Sequence, residues 1–350
     1  FFKSAGSEAS QWLLALPAHY VAGAQVLARS VLAGTEPVIA RSVTEPVHFS
    51  PDVFLRAVEQ LSSTRRFVSL VPTQLHKLLE TARNQPRTGE EIHAALRSFT
   101  GILLGGAPAS ADLLAAAQEL GLNVVTTYGS AETAGGCIYS GRVLPGVRVE
   151  LMPEEGMPSV PDSERVPAQV GRIWISGAHL AQGYLGDPGR TAEHFFAAAD
   201  GTRWYRTDDY GLLSTHAPGE PCILRVLGRS DDIIITGGVK ISARAVAEAL
   251  ESHPAVREAL VCGLPDARWG SAVTAALTLV SPAEGAATAL AENAELREAL
   301  RSLCIKRLGV AAAPKLLSIL PDFPLTSTGK PDRREIYSIL DRDYREASRG

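Results

Sequence analysis

Through its first two thirds the chain alternates short β-branched runs with stretches of helical periodicity. Arg66–Pro72 (RFVSLVP), Gly101–Ala107 (GILLGGA) and Asn123–Gly129 (NVVTTYG) read as buried strands. Between them, Phe54, Val58 and Leu61 repeat at i, i+4, i+7, and Leu75, Leu78, Leu79 and Ala82 form a second stripe. Ser50-Pro51-Asp52 supplies a cap with proline at the first helical position, and Ser110 to Leu120 reads as a third helix closed by Gly121. Such alternation predicts an α/β domain with substantial parallel pairing.

After a polar, proline-rich stretch at 152–169 that reads as an exposed loop, the texture changes. Arg172–Ser176, Ile223–Leu227 and Asp232–Thr236 are short strands. A smaller α+β unit follows, with Ser242 capping a helix, strand-like Glu258–Leu264 and Val273–Val280, and an amphipathic Glu295–Leu308. Alanine-rich 281–294 reads as a loop or a frayed helix start. A chain of 350 residues fits two domains at roughly 100–200 residues each. We place the division at 228/229, giving a large N-terminal α/β domain with parallel sheets and a small C-terminal α+β domain joined by a hinge.

Several classes are excluded early. A net charge of −4 offers no basic footprint for nucleic acid. The one stretch long enough for a membrane span, 13–34, is interrupted by Pro17, His19, Gln25 and Arg29. Cys137, Cys222, Cys262 and Cys304 are scattered singly, as suits free thiols in a reducing cytoplasm.

The chemistry-bearing residues sit where strands end. Gly105-Gly106-Ala107-Pro108 lies between a strand and a helix, as a plain tight turn or as a place where backbone approaches a ligand. In Tyr128-Gly129-Ser130-Ala131-Glu132-Thr133, Glu132 suits either Mg²⁺ beside a nucleotide or the dipole of a helix N-terminus. Trp204 to Gly211 places Asp208 and Asp209 after an aromatic strand, as turn acids or as acceptors for ribose hydroxyls. Gly228-Arg229-Ser230-Asp231-Asp232 falls at the change of texture, and Gly237-Gly238-Val239-Lys240 follows it. Near the C-terminus, Pro324 to Pro331 is a polar glycine loop presenting Lys330, either a surface lysine or a charge for a phosphate oxyanion.

Eight stretches in this order resemble the adenylate-forming superfamily of acyl- and aryl-CoA ligases, peptide-synthetase adenylation domains and luciferases. They are LPAHYVAG, SLVPTQL, LLGGAP, TYGSAET, GRIWISGAHLAQGYLGDP, WYRTDDYG, GRSDDIIITGGVKIS and FPLTSTGKPDRR, running from about Leu16 to the C-terminus. The resemblance implies ATP-dependent adenylation of a small-molecule carboxylate, then thioester formation with coenzyme A, with Mg²⁺ as cofactor. It places adenine against Gly106, Ala107 and Tyr128, counts Gly105 and Gly129 among the nucleotide-binding residues, and puts the ribose at Asp209 and Arg229 near ribose or phosphate. Glu132 becomes the Mg²⁺ ligand, Lys330 the adenylation lysine, and His19 or Tyr20 the aromatic gate. Asp231 becomes the hinge, and Gly237 and Gly238 line the pantetheine tunnel.

An arginine after LPAHYVAG, Arg29, is similar to one in o-succinylbenzoate–CoA ligases of menaquinone biosynthesis, most of all their compact actinobacterial members. There Arg29, with Ser30, Gly129 and Ser130, would anchor a second carboxylate; the alternative is a structural arginine paired with an internal acid. Monomer and homodimer both stay open. The chain departs from the family where Ala131 replaces a hydroxyl residue, which Ser130 or Thr133 would have to replace. The family's Ser/Thr/Gly-rich phosphate loop is expected ahead of LPAHYVAG, and residues 1–11 do not contain it, so the large domain is expected to be short at its front.

Overall fold

The structure is a computed structural model describing residues 9–153, 168–214, 222–229, 232–280, 294–326 and 331–347. The chain forms two compact units. One runs to Arg148 and includes Ser176–Tyr205; the other is built from Val149–Ile175 and from Arg206 onward.

The first unit opens with β1 (Gln11–Leu14), α1 (Val21–Ala33), β2 (Val38–Ile39), α2 (Arg41–Thr44) and α3 (Pro51–Val58). It continues through β3 (Arg66–Leu70), α4 (Pro72–Asn84), α5 (Pro86–Arg97), β4 (Gly101–Leu104), α6 (Ala111–Glu119) and β5 (Val124–Ser130). The expected strands are therefore present, each ending within a few residues of its expected limit. Ser50 and Ser110 cap α3 and α6, accepting from Val53 and Leu113 backbone N–H groups at 3.3 and 3.2 Å. β2, β1, β3, β4 and β5 lie side by side in that order, all parallel. Phe54, Leu75, Leu78, Ile92 and Leu96, all fully buried, seal one face of this sheet beneath α3, α4 and α5. The other face carries Trp12, Leu14, Phe67 and Leu103 against Val26 of α1.

β5 then turns back into β6 (Gly135–Tyr139), which pairs antiparallel with it and with β7 (Arg142–Val143). Glycine-rich sequence hid this hairpin from the periodicity argument. The candidate span at 13–34 resolves into β1 and α1, and among the described residues no helix is long and apolar enough to cross a membrane.

In the second unit, β8 (Arg148–Met152) and β9 (Ala168–Ser176) join two strands that follow α7 (Pro188–His194) and β10 (Phe195–Ala197). These are β11 (Arg203–Ser214) and β12 (Ile223–Arg229), in the order β12-β11-β9-β8. Asp208 and Asp209 therefore lie inside a twelve-residue strand rather than after one, and a bulge between Tyr210 and Gly211 marks the place. A separate sheet contains β13 (Ile233–Thr236), β14 (Val239–Ser242), β15 (Val256–Asp266), β16 (Gly270–Leu279) and β17 (Leu316–Ile319). Helices α8 (Ala243–Glu251) and α9 (Ala294–Leu308) cover one face through Val246, Leu250 and Leu300; α10 (Arg333–Ala347) covers the other through Ile336 and Leu340. Of the loops expected at 152–169 and 281–294, residues 154–167 and 281–293 lie outside the described residues. Met152 ends β8, Ala168 and Gln169 open β9 and Ala294 opens α9, so both expectations ran too long where the strands and the helix continue.

Candidate functional site

In an open parallel sheet, ligands bind beyond the carboxyl ends of the strands, where the strand order reverses. Here the reversal falls between β1 and β3, and the segments that leave β1, β4 and β5 carry the motifs. Gly106 and Ala107 are exposed just past β4, and Gly106 adopts φ 79°. Tyr128, half-buried, and Gly129, exposed, close β5. His19 and Tyr20 are exposed past β1, their rings 4.3 Å apart.

Gly129 is fixed by close backbone packing. A Cβ there would stand 2.0 Å from the Gly135 carbonyl oxygen and 2.7 Å from its carbon, atoms that cannot swing aside. Gly129→Ala should cost about 1–3 kcal/mol by forcing the β5–β6 hairpin apart, read as a lowered Tm. An unchanged Tm would show that the hairpin yields.

The turn between those strands presents Glu132. Thr133, buried, locks it: its hydroxyl accepts from Ser130 N–H at 2.8 Å and donates to the Gly135 carbonyl at 2.7 Å. Thr133 is thereby committed to the turn. The Ser130 hydroxyl is buried without a hydrogen bond of good geometry, though it lies close enough to help hold Glu132 ionised. Tyr184 donates its hydroxyl to Glu132 Oε1 at 2.8 Å, and Ala181 N–H donates to the Glu132 carbonyl at 2.8 Å. Arg190 lies over the Tyr184 ring at 4.2 Å. Burial alone would raise the Glu132 carboxyl; Ser130, Tyr184 and the charge of Arg190 outweigh it and hold the group below its ordinary range. Tyr205 shows the reverse, its phenol pushed far up by burial and then by the charge of Glu132.

A single ionised, half-buried carboxylate with its orientation fixed suits Mg²⁺, which takes its remaining ligands from water and phosphate. Glu132 is the residue that fits such an ion.

Arg29, on α1, reaches back toward the sheet. Its Nη2 donates to the Tyr139 hydroxyl at 3.0 Å, and its guanidinium carbon lies 5.0 Å from the Trp12 ring centroid. Among the described residues no carboxylate pairs with it. The adjacent Ser30 is turned inward, 1% exposed, its hydroxyl donating to the Val26 carbonyl at 3.0 Å.

Within the second unit, Asp209 and Arg229 are register partners across β11 and β12. Asp208 accepts from Arg172 Nη2 at 2.6 Å and lies 3.5 Å from Arg229 Nη2. Asp208 thus serves a local arginine cluster. Gly237 and Gly238 form the two-residue turn between β13 and β14, with φ 56° and 78°, the left-handed pair that a tight hairpin of this kind requires. Asp231 and Lys330 lie outside the described residues.

Tyr184, Tyr139, Trp12 and Arg172 entered the site only with the structure. Tyr184 and Arg172 carried a hint, because both stand within the GRIWISGAHLAQGYLGDP stretch of a recognised motif.

The chain is similar to known proteins over most of its length. Residues 2–185 match the AMP-binding enzyme family, and residues 245–330 match the AMP-binding enzyme C-terminal domain. A probable 2-succinylbenzoate–CoA ligase of Mycobacterium tuberculosis is 37% identical over 324 residues, 92% of this chain and 72% of the relative. The 2-succinylbenzoate–CoA ligase of Bacillus pumilus is 29% identical over 339 residues, 95% of this chain and 61% of the relative. Among solved structures, the o-succinylbenzoate–CoA synthetase of Bacillus subtilis in complex with the acyl-adenylate OSB-AMP aligns with TM-score 0.68 at 26% identity, covering 95% of this chain and 61% of that one. The amide bond synthetase McbA of Marinactinospora thermotolerans aligns with TM-score 0.72 at 28% identity, covering 96% and 63%. The chain therefore spans about three fifths of the Bacillus relatives' length and somewhat more of the mycobacterial one. With a parallel sheet whose strand ends carry the Gly105–Ala107 turn and the Tyr128–Glu132 segment, and with family matches at both ends, the chain belongs to the AMP-binding enzyme family.

Proposed function

We propose that the chain is an AMP-forming acid–thiol ligase acting on 2-succinylbenzoate. In the first step a substrate carboxylate oxygen bonds to the α-phosphorus of ATP while the α–β bridging bond breaks, releasing pyrophosphate. In the second, the sulfur of coenzyme A bonds to the acyl carbon and AMP departs. The observation that carries the choice of acid is Arg29, half-buried, with a phenol and an indole as neighbours but no carboxylate among the described residues. A planar guanidinium so placed suits the second carboxylate of a dicarboxylic acid, and relatives at 37% and 29% identity are named for that acid.

The roles are those the resemblance implies, and the geometry within each unit supports several of them. Gly105, Gly106, Ala107, Tyr128 and Gly129 offer backbone and a ring face to adenine, and Asp209 accepts from ribose hydroxyls while Asp208 holds Arg172 and Arg229. Tyr184 keeps Glu132 oriented and ionised. Mg²⁺ bound there would neutralise phosphate charge. Ser130 supplies the hydroxyl that Ala131 lacks, Tyr20 or His19 gates the acid, and Lys330 stabilises charge developing at the α-phosphate. Gly237 and Gly238 leave the pantetheine arm a side-chain-free turn, with Asp231 as hinge beside a 228/229 boundary. The cysteines are free, which suits a reducing, cytoplasmic setting.

Acid-dependent pyrophosphate release tests this reading. 2-Succinylbenzoate should support it, whereas benzoate and medium-chain fatty acids should be poor; equal rates with all three would contradict it.

A further inference from the structure

The guanidinium of Arg29 is held in a clamp. The Tyr139 hydroxyl accepts from Nη2 on one edge, and Trp12 underlies the plane. Both clamp residues are themselves fixed. Trp12 is 5% exposed and stacks on Phe67 with ring centroids 5.1 Å apart, so its position is set by the sheet. Tyr139 is 7% exposed, and its ring passes over Gly136, where a Cβ would come within 3.4 Å of the hydroxyl oxygen. Gln25, one turn earlier on α1, donates to the Ala134 carbonyl at 2.7 Å. Helix α1 is thus laced at two levels to the hairpin that carries Tyr128, Gly129 and Glu132.

A bare arginine side chain has several rotatable bonds, and ordering it on binding lowers affinity. An edge acceptor together with a π-face fixes both the direction and the plane of the fork before any acid arrives. We infer that Tyr139, backed by Trp12, is a specificity-determining positioning residue: it holds Arg29 so that an acid with a second carboxylate is selected over a monocarboxylic one. This rests on the role proposed above for Arg29. The hydroxyl is the operative group, since it takes the hydrogen bond from the guanidinium edge, while the ring is core.

The test compares wild type, Tyr139→Phe and Arg29→Ala in pyrophosphate release, taking kcat/KM for 2-succinylbenzoate over that for benzoate. Tyr139→Phe should lower this ratio about tenfold, as expected for removing one hydrogen bond to a charged group, with the change carried by KM for the dicarboxylate. Trp12→Phe, which keeps a smaller π-face, should retain more of the ratio than Trp12→Leu. If Arg29→Ala collapses the ratio but Tyr139→Phe leaves it at the wild-type value, or lowers both acids equally, the positioning role is overturned while the Arg29 reading stands. If Arg29→Ala leaves the ratio unchanged, the Arg29 reading fails and this inference with it.

Discussion

Lys330→Ala is expected to lower acid-dependent pyrophosphate release by about 10²–10³, the scale of removing one aimed cation or donor from a transition state. The sequence from Pro324 to Pro331 holds a single lysine among small polar residues. Its described ends are pinned: Leu325 bridges Pro331, and Asp332 N–H donates to the Pro324 carbonyl at 2.7 Å. Negative charge grows on the α-phosphate oxygens as the carboxylate attacks, so a cation there acts on the first step. The second step expels AMP as a phosphate dianion, and there the resemblance puts the Gly237–Gly238 segment in the place that Lys330 holds in the first. Acyl-adenylate supplied directly should therefore still be converted to the thioester by Lys330→Ala at near the wild-type rate. Undiminished adenylation would remove Lys330 from the mechanism, and equal loss in both steps would mark a general rather than a step-specific role.

Arg29→Ala should raise KM for 2-succinylbenzoate about 100-fold, in line with the loss of a desolvated, hydrogen-bonded charge pair, while KM for ATP changes little. Benzoate, which has nothing to offer the guanidinium, should be affected far less. Arg29→Lys should recover only part of the loss, because an ammonium is a point charge without the planar fork. A similar rise in KM for both acids would make Arg29 a structural residue. The structure bears on that alternative, since the internal acid it requires is not found beside Arg29 among the described residues.

The parts of the fold legible in the sequence were those governed by local pattern. The runs at 66–72, 101–107 and 123–129 became β3, β4 and β5, and Ser50, Ser110 and Ser242 each cap the helix they precede. The β5–β6 hairpin was not legible, because its strands carry glycines that a close backbone approach demands and its turn runs through Ala134 at φ 51° and Gly135 at φ 104°. Helix α10 was missed as well: only Ile336 and Leu340 are buried among many charged residues, so its stripe is thin.

The site divides in the same way. Gly105 to Ala107 and Tyr128 to Glu132 are neighbours in sequence, and motif order was enough to find them. The groups that orient them come from far along the chain. Tyr184 reaches Glu132 across 52 residues, and Tyr139 reaches Arg29 across 110, separations that no periodicity encodes. Likewise, nothing in the pair Asp208-Asp209 reveals that Asp208 meets two arginines until β9 and β12 bring Arg172 and Arg229 alongside.

One chain is proposed to activate 2-succinylbenzoate as its adenylate and to pass it to coenzyme A. Mass spectrometry of the protein incubated with ATP, Mg²⁺ and 2-succinylbenzoate tests it most directly. An acyl-adenylate with pyrophosphate is expected, converted on addition of coenzyme A to the acyl-CoA thioester and AMP. Adenylate formed with benzoate but not with 2-succinylbenzoate, or an adenylate that coenzyme A leaves untouched, would contradict it.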